Sequence, residues 1–270
     1  MSDEQRMWES GEAYEHYIGR WSRRVAADFL RWLGRPGGRW IDVGCGSGAL
    51  SAAVLAAAAP ESVVGVDASA QFVRYAQAIT GPRARFLVAD ARRLPLREGI
   101  ADTCAAGLVL NFVPDSAAAV AEMRRVTRPG GTVAAYVWDY ACGMQPIRCF
   151  WDAATEHDPR AAALDEGSRF PLCQPEPLAV HFAAAGLVDV ETAALTVPTY
   201  FAGFSDYWTP FLGGQGPAPA YVMSLAPERR SMLRDTLAAR LRVSADGAIE
   251  LTARAFAVRG TVPGEVPARA

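Results

Sequence analysis

The chain has 270 residues, 51% of them apolar, with 27 basic against 29 acidic side chains and a formal net charge of −2. That is enough apolar material for one large α/β domain, or one domain carrying an insertion, and no basic concentration points to nucleic acid as the main partner. Every basic residue is arginine, so a pyridoxal Schiff base, a Walker-type phosphate loop and the kinase strand lysine are all excluded.

In chain order, the opening MSDEQRMWES is charged and polar, which argues against a secretory signal and for a cytoplasmic setting. Residues 8–33 read as helix, with Trp21, Val25, Phe29 and Leu33 at helical spacing. After a turn at Arg35–Gly38, Arg39–Val43 is a short apolar strand that runs into a glycine-rich loop. An alanine-rich helix follows to about Ala59 and is stopped by Pro60. Its apolar run, Ala49–Ala59, is far short of the roughly 20 residues of a membrane span. Val63–Val66, Ala84–Ala89, Thr103–Leu110 and Thr132–Trp138 read as further strands, separated by helices at Ala70–Ile79 and Ser116–Thr127. Apolar, non-alternating strands in alternation with helices predict a parallel sheet covered on both faces.

Beyond Trp138 the pattern breaks. Residues 140–173 read as irregular, with Pro146, Pro159 and Pro171. A helix over Pro175–Ala185 and a strand over Leu187–Val197 follow, then loop and helices over 198–247, a last strand over Ala248–Val262 and a loose tail. The five cysteines, Cys45, Cys104, Cys142, Cys149 and Cys173, are widely spaced without a C-x-x-C, and the three histidines, His16, His157 and His181, are scattered. Neither a disulfide scaffold nor a zinc site is expected.

The strongest chemical signal is Ile41-Asp-Val-Gly-Cys-Gly-Ser-Gly-Ala-Leu50. Glycines at alternate positions let a strand turn tightly and let a ligand approach the backbone, while the helix that follows offers free N–H groups to an anion. Taken alone, the loop also satisfies the dinucleotide pattern G-x-G-x-x-G/A. Asp67 ends the second strand, where a carboxylate can accept both ribose hydroxyls. Asp90 ends the third, where it can accept from an adenine amino group or merely cap a helix.

This ordered set resembles class I S-adenosylmethionine-dependent methyltransferases, and within them the ubiquinone and menaquinone biosynthesis group. Asp42–Gly48, Val64–Asp67, Ala89–Ala91, Leu110–Asp115 and Glu122–Gly131 match successive motifs over residues 40–138. The resemblance implies a Rossmann-like α/β fold: a seven-stranded, mostly parallel sheet with helices on both faces and the last strand antiparallel, inserted between the fifth and sixth. It implies a single domain over 1–270, with a helical lid at 1–35, a cofactor core at 36–138, and substrate-side insertions over the active site at 139–173 and 198–247. By position it places Gly44, Gly46 and Gly48 against the methionine part of S-adenosylmethionine. Asp42 would orient that loop or take the ammonium, Asp67 bind the ribose, Asp90 and Ala91 read the adenine, and Leu108 face the methionine side.

In the N-terminal helix Tyr14, Tyr17 and Arg20 are cofactor candidates, Arg20 as partner of its carboxylate; packing aromatics are the plainer alternative. Trp138, Phe170, Phe201, Phe204, Tyr207, Trp208, Phe211 and Tyr221 suggest an apolar pocket for a lipophilic or aromatic acceptor, or the insertions' own core. Gly213–Pro217 reads as a loop that could serve as a lid segment. Asp139, His16, His157 and His181 are weak candidates for a base, and no metal is expected. Two alternatives remain: an NAD(P)-dependent oxidoreductase, against which Asp90 and the missing Tyr-x-x-x-Lys lysine argue, and a non-catalytic nucleotide-binding protein of the same fold.

Overall fold

The structure is a computed structural model and describes residues 18–213 and 216–264. Tyr14, His16, Tyr17, Gly214 and Gln215 lie outside them. Helix α1 (Arg20–Trp32) is followed by β1 (Gly38–Val43), α2 (Ala49–Ala57), β2 (Pro60–Asp67), α3 (Ala70–Thr80), β3 (Arg85–Val88), β4 (Ala101–Gly107), α4 (Ser116–Val126) and β5 (Thr127–Trp138). Then come α5 (Gln145–His157), α6 (Glu166–Arg169), α7 (Pro175–Ala184), β6 (Val188–Phe201), α8 (Phe204–Trp208), α9 (Pro217–Ser224), α10 (Pro227–Arg240) and β7 (Ile249–Thr261).

The strands form one seven-stranded sheet in the order β3-β2-β1-β4-β5-β7-β6. The pairs β1–β2, β1–β4, β2–β3 and β4–β5 are parallel. Strand β7 runs against β5: Gly131 bonds to Val262, whereas Asp139, further along β5's course, bonds to Arg254. The antiparallel last strand between the fifth and sixth is therefore observed as the resemblance implied. The chain lays β1, β2 and β3 outward on one side and then returns to set β4 beside β1. That reversal is the topological switch point where open α/β sheets leave a crevice at their carboxyl ends.

One expectation changes. Residues 140–173 contain a full helix, α5, with Pro146 in its first turn. A proline there gives up an N–H that has no helical partner anyway, so it starts a helix instead of breaking one. Helices α7, α9 and α10 also carry proline at their start. Likewise, Pro129-Gly130-Gly131 lies inside β5 and not ahead of it; Gly130 N–H and Val262 N–H close this stretch onto β7.

The chain divides into two compact units. Among the described residues, the glycine-loop unit comprises 22–137, 174–195 and 256–264. Its core is mainly apolar, with Val43, Val66, Cys104, Ala105, Val133, Ala135 and Met123 buried beside the polar Asp42 and Ser51. Among the described residues, the aromatic unit comprises 18–21, 138–173, 196–213 and 216–255. Its core is a chain of rings: Phe150 stacks on Phe211 at 4.7 Å, Tyr207 meets Phe211 at 5.4 Å and Phe201 at 5.2 Å, and Trp21 meets Phe201 at 5.2 Å. Tyr207 places its hydroxyl inside by donating to the Pro146 carbonyl at 2.8 Å.

Candidate functional site

The carboxyl ends of β1, β2 and β3 are neighbours in the sheet, and each carries chemistry. At β1 the chain leaves through Gly44, Gly46 and Gly48, with φ of 67°, 50° and 84°. Such left-handed conformations disfavour any residue with a Cβ. The loop is drawn toward β2, because Gly44 N–H and Cys45 N–H both donate to the Val66 carbonyl, at 2.7 and 3.0 Å. The three glycines serve different ends. A Cβ on Gly44 would lie 2.4 Å from a Val109 methyl, in the loop after β4. One on Gly48 would press on Ala76 of α3 at 3.0 Å. One on Gly46 would meet nothing closer than 4.0 Å. Gly44 and Gly48 are thus required by packing, while the space at Gly46 is open.

Asp67 accepts from Gly46 N–H at 2.9 Å and from Ser69 N–H at 2.8 Å, which ties the β1 loop to the tip of β2. Burial raises its carboxyl above the ordinary range, and these two bonds oppose the rise. Asp42 is 1% exposed. Its Oδ2 accepts from Ser51 N–H at 3.0 Å and Ser51 Oγ at 2.7 Å, so it fixes the first turn of α2. Its Oδ1 has no partner among the described residues. Burial pushes its carboxyl up to about 6 against the pull of Ser51. Of the two roles considered for Asp42, the geometry favours orienting the loop and helix.

Asp90 is exposed beyond β3 and holds Arg92 through both oxygens, at 2.6 to 3.1 Å. It also accepts the Arg92 N–H at 2.8 Å, and these bonds hold its carboxyl below the ordinary range. Ala91 follows it, half-buried. At β4, Leu108 has φ of 60° and donates its N–H to the Tyr136 carbonyl at 2.7 Å. Three residues on, Asn111 buries its Nδ2 with no partner among the described residues. Asn111 falls within the Leu110–Asp115 motif. Its only signal there was its place just after the fourth strand.

The other candidates are held by protein partners. Asp139, 1% exposed, receives Arg254 Nε and Nη2 on Oδ2 at 2.8 and 2.5 Å and Cys142 N–H on Oδ1 at 3.0 Å. His181 shares a hydrogen with Ser116 Oγ at 2.9 Å, and exposed His157 with Thr236 Oγ1 at 2.7 Å. Arg20 pairs with Asp206 at 3.1 Å and lies over the rings of Trp21 and Phe201 at 4.8 and 4.7 Å. Its Nε and Nη2 are buried without a partner among the described residues. Most of the insertion aromatics face one another. Phe204 stacks on Trp208, Trp151 meets Tyr221, and Phe170 meets Tyr140. Among the described residues no group of three His, Cys, Asp or Glu is placed to hold a metal ion.

Residues 41–135, which span this loop and all these strand tips, match the family model described as a methyltransferase domain. The chain carries a class I S-adenosylmethionine-dependent methyltransferase domain. The chain is 32% identical over 185 residues to the 2-methyl-6-phytyl-1,4-hydroquinone methyltransferase of Synechocystis, covering 67% of this chain and 57% of that protein. It is 41% identical over 99 residues to the demethylmenaquinone methyltransferase of Roseiflexus castenholzii, covering 36% of this chain and 41% of that one. The match thus spans about half the length of these curated relatives. The fold is shared with phosphoethanolamine N-methyltransferase 2 of Haemonchus contortus, solved with phosphomonomethylethanolamine and S-adenosylhomocysteine. That likeness has a TM-score of 0.57 at 15% identity, over 94% of this chain and 57% of that one. No helix among the described residues of the methyltransferase chain is long and apolar enough to cross a membrane.

Proposed function

We propose that this chain binds S-adenosylmethionine at the tips of β1, β2, β3 and β4 and transfers its methyl group to a small lipophilic or aromatic molecule. One observation carries the reading. Three neighbouring strand tips present, in order, a left-handed glycine loop with open space at Gly46, the Asp67 carboxylate and the Asp90 carboxylate. The residues fit the group in shape and charge. Gly46 leaves room for a ligand against the backbone, Asp67 is an acceptor for ribose hydroxyls, and Asn111, after β4, holds an unused buried donor. Gly44 and Gly48 keep the loop close to Val109 and α3, and Asp42 holds α2 behind it. Asp90 reaches an adenine amino group only by releasing one of its bonds to Arg92.

When bound, the cofactor would supply a methyl group activated on its sulfonium: the acceptor atom would bond to that carbon as the carbon–sulfur bond breaks, and the neutral thioether would leave. The protein's part is alignment, which is where most of the rate gain of such a displacement arises. The relatives named for hydroquinone and menaquinone substrates support a lipophilic ring as acceptor. Asp139 is read as a structural anion for Arg254, not as a base, because both its oxygens are occupied. The reading includes a small-molecule partner without nucleic acid, and a cytoplasmic setting. Calorimetric titration of the intact chain with S-adenosylhomocysteine and with NADH tests the cofactor, and transfer of a labelled methyl group to a panel of quinols, phenols and amines tests the reaction. Binding of NADH in preference to S-adenosylhomocysteine would overturn it.

A further inference from the structure

The aromatic unit holds a cavity of about 190 Å³ walled by α5, α9 and α10. Ala154, Tyr221, Leu225 and Leu233 make its apolar side. Tyr221 is held there by Trp151 and Phe150, with ring centroids 5.7 and 6.3 Å away, so that wall is preset. An apolar cavity of about 150 Å³ accepts benzene, whereas drug-sized ligands need about 300 Å³ or more. The space therefore suits one ring with a small polar group.

The polar side consists of His157, Asp158 and Arg229. Asp158 is already matched by Arg160, which gives it N–H, Nε and Nη2 at 3.1, 2.9 and 3.0 Å. His157 is turned toward Thr236. Arg229 makes no hydrogen bond or ion pair among the described residues, although Asp158 is near enough for their charges to interact. It stands in the first turn of α10, a 14-residue helix whose opening N–H groups receive no side-chain cap. Glu228 in the same turn already offsets the positive end of that helix, so Arg229 is the group that favours an anion here. The next residue, Arg230, turns away to the carbonyls of Val222, Met223 and Leu225, at 3.1 to 3.3 Å, and pins the corner between α9 and α10. The cavity thus has a rigid apolar slot, a carboxylate neutralised by Arg160, and one cation to spare.

We propose that this cavity is a binding site for a small aromatic monocarboxylate, with the carboxylate on Arg229 and the ring against Tyr221 and Leu233. The site lies wholly within the aromatic unit and does not depend on the adenosyl reading. The test is calorimetric titration of the intact chain with benzoate and with benzyl alcohol, which keeps the ring and lacks the charge. Benzoate binds, benzyl alcohol binds at least tenfold more weakly, and Arg229→Gln weakens benzoate at least tenfold while S-adenosylhomocysteine titrates as it does on the unsubstituted chain. Arg229 is exposed, so its replacement leaves the fold intact. No heat from benzoate at millimolar concentration, equal affinity for the two probes, or an unchanged affinity in Arg229→Gln each overturns the proposal.

Discussion

Replacing Gly44 and Gly46 separately by alanine should divide the loop's structural glycine from its ligand-facing one. Gly44 has φ of 67°, and an added Cβ would lie 2.4, 2.7 and 2.8 Å from Val109 Cγ2, Cγ1 and Cβ. The left-handed backbone costs about 1–2 kcal/mol with a Cβ present, and overpacking against a β-branched neighbour adds about 1–3 kcal/mol. Gly44→Ala is therefore expected to destabilise by about 2–5 kcal/mol, which lowers Tm by roughly 5–15 °C in a chain of this size. Gly46 has φ of 50°, but its added Cβ enters open space. Gly46→Ala should cost only the backbone part, about 1–2 kcal/mol in stability, yet weaken S-adenosylhomocysteine by at least roughly tenfold if that space receives the ligand backbone-first. Val109→Ala in the Gly44→Ala background should restore the overlap part and leave the backbone part, a coupling that a double-mutant cycle isolates. Differential scanning calorimetry and ligand titration on the four variants provide the readout. A Gly44→Ala protein melting within a degree of the parent, or a Gly46→Ala protein with undiminished affinity, would refute this division.

Other expectations follow from the same geometry. Asp67→Asn should weaken S-adenosylhomocysteine roughly 30-fold, the loss of about 2 kcal/mol for charged acceptors of ribose hydroxyls, with an unaltered circular dichroism spectrum; calorimetry measures it. Burial raises Glu166 from 4.5 to about 7 while Trp151 Nε1 donates to it. Between those values the unfolded chain binds fewer protons than the folded one, so stability falls as pH rises from about 4.5 through 7. Glu166→Gln keeps an oxygen for Trp151 and should flatten that slope, gaining up to about 3 kcal/mol at pH 8, as urea unfolding at pH 5 and pH 8 would reveal. Arg254→Ala strands the buried Asp139 carboxylate. Because Arg254 itself is 38% exposed, the loss should fall at about 2–3 kcal/mol, below the full value for a buried pair. Asp139→Asn should retain methyl transfer, and its abolition in a folded, cofactor-binding variant would instead make Asp139 a base.

The glycine loop was legible because its signal is local. Alternating glycines between an apolar strand and an alanine-rich helix dictate a left-handed turn whatever surrounds them, and Gly44, Gly46 and Gly48 all adopt it. Asp67 was legible because the buried strand β2 ends on it, whereas Asp90 lies two residues beyond the exposed edge strand β3, whose last residue, Val88, is the one in register with Asp67. The prolines misled where local rules cut both ways. Pro146 breaks a helix interior but opens α5, and only the register of the helix decides which.

Partner choice was not legible. Arg20 finds Asp206 across 186 positions and Arg254 finds Asp139 across 115, because packing of distant segments sets which charges meet. Asn111 looked like any polar loop residue until its amide proved buried without a partner. The insertion aromatics were equally compatible with a pocket and with a core. Sequence composition supplied the rings, and the stacking of Phe150 on Phe211 decided their use. Local backbone preferences and periodicity are properties of short stretches and survive in the sequence. Burial and hydrogen-bond satisfaction belong to side chains brought together from far apart, so they exist only once the chain has folded.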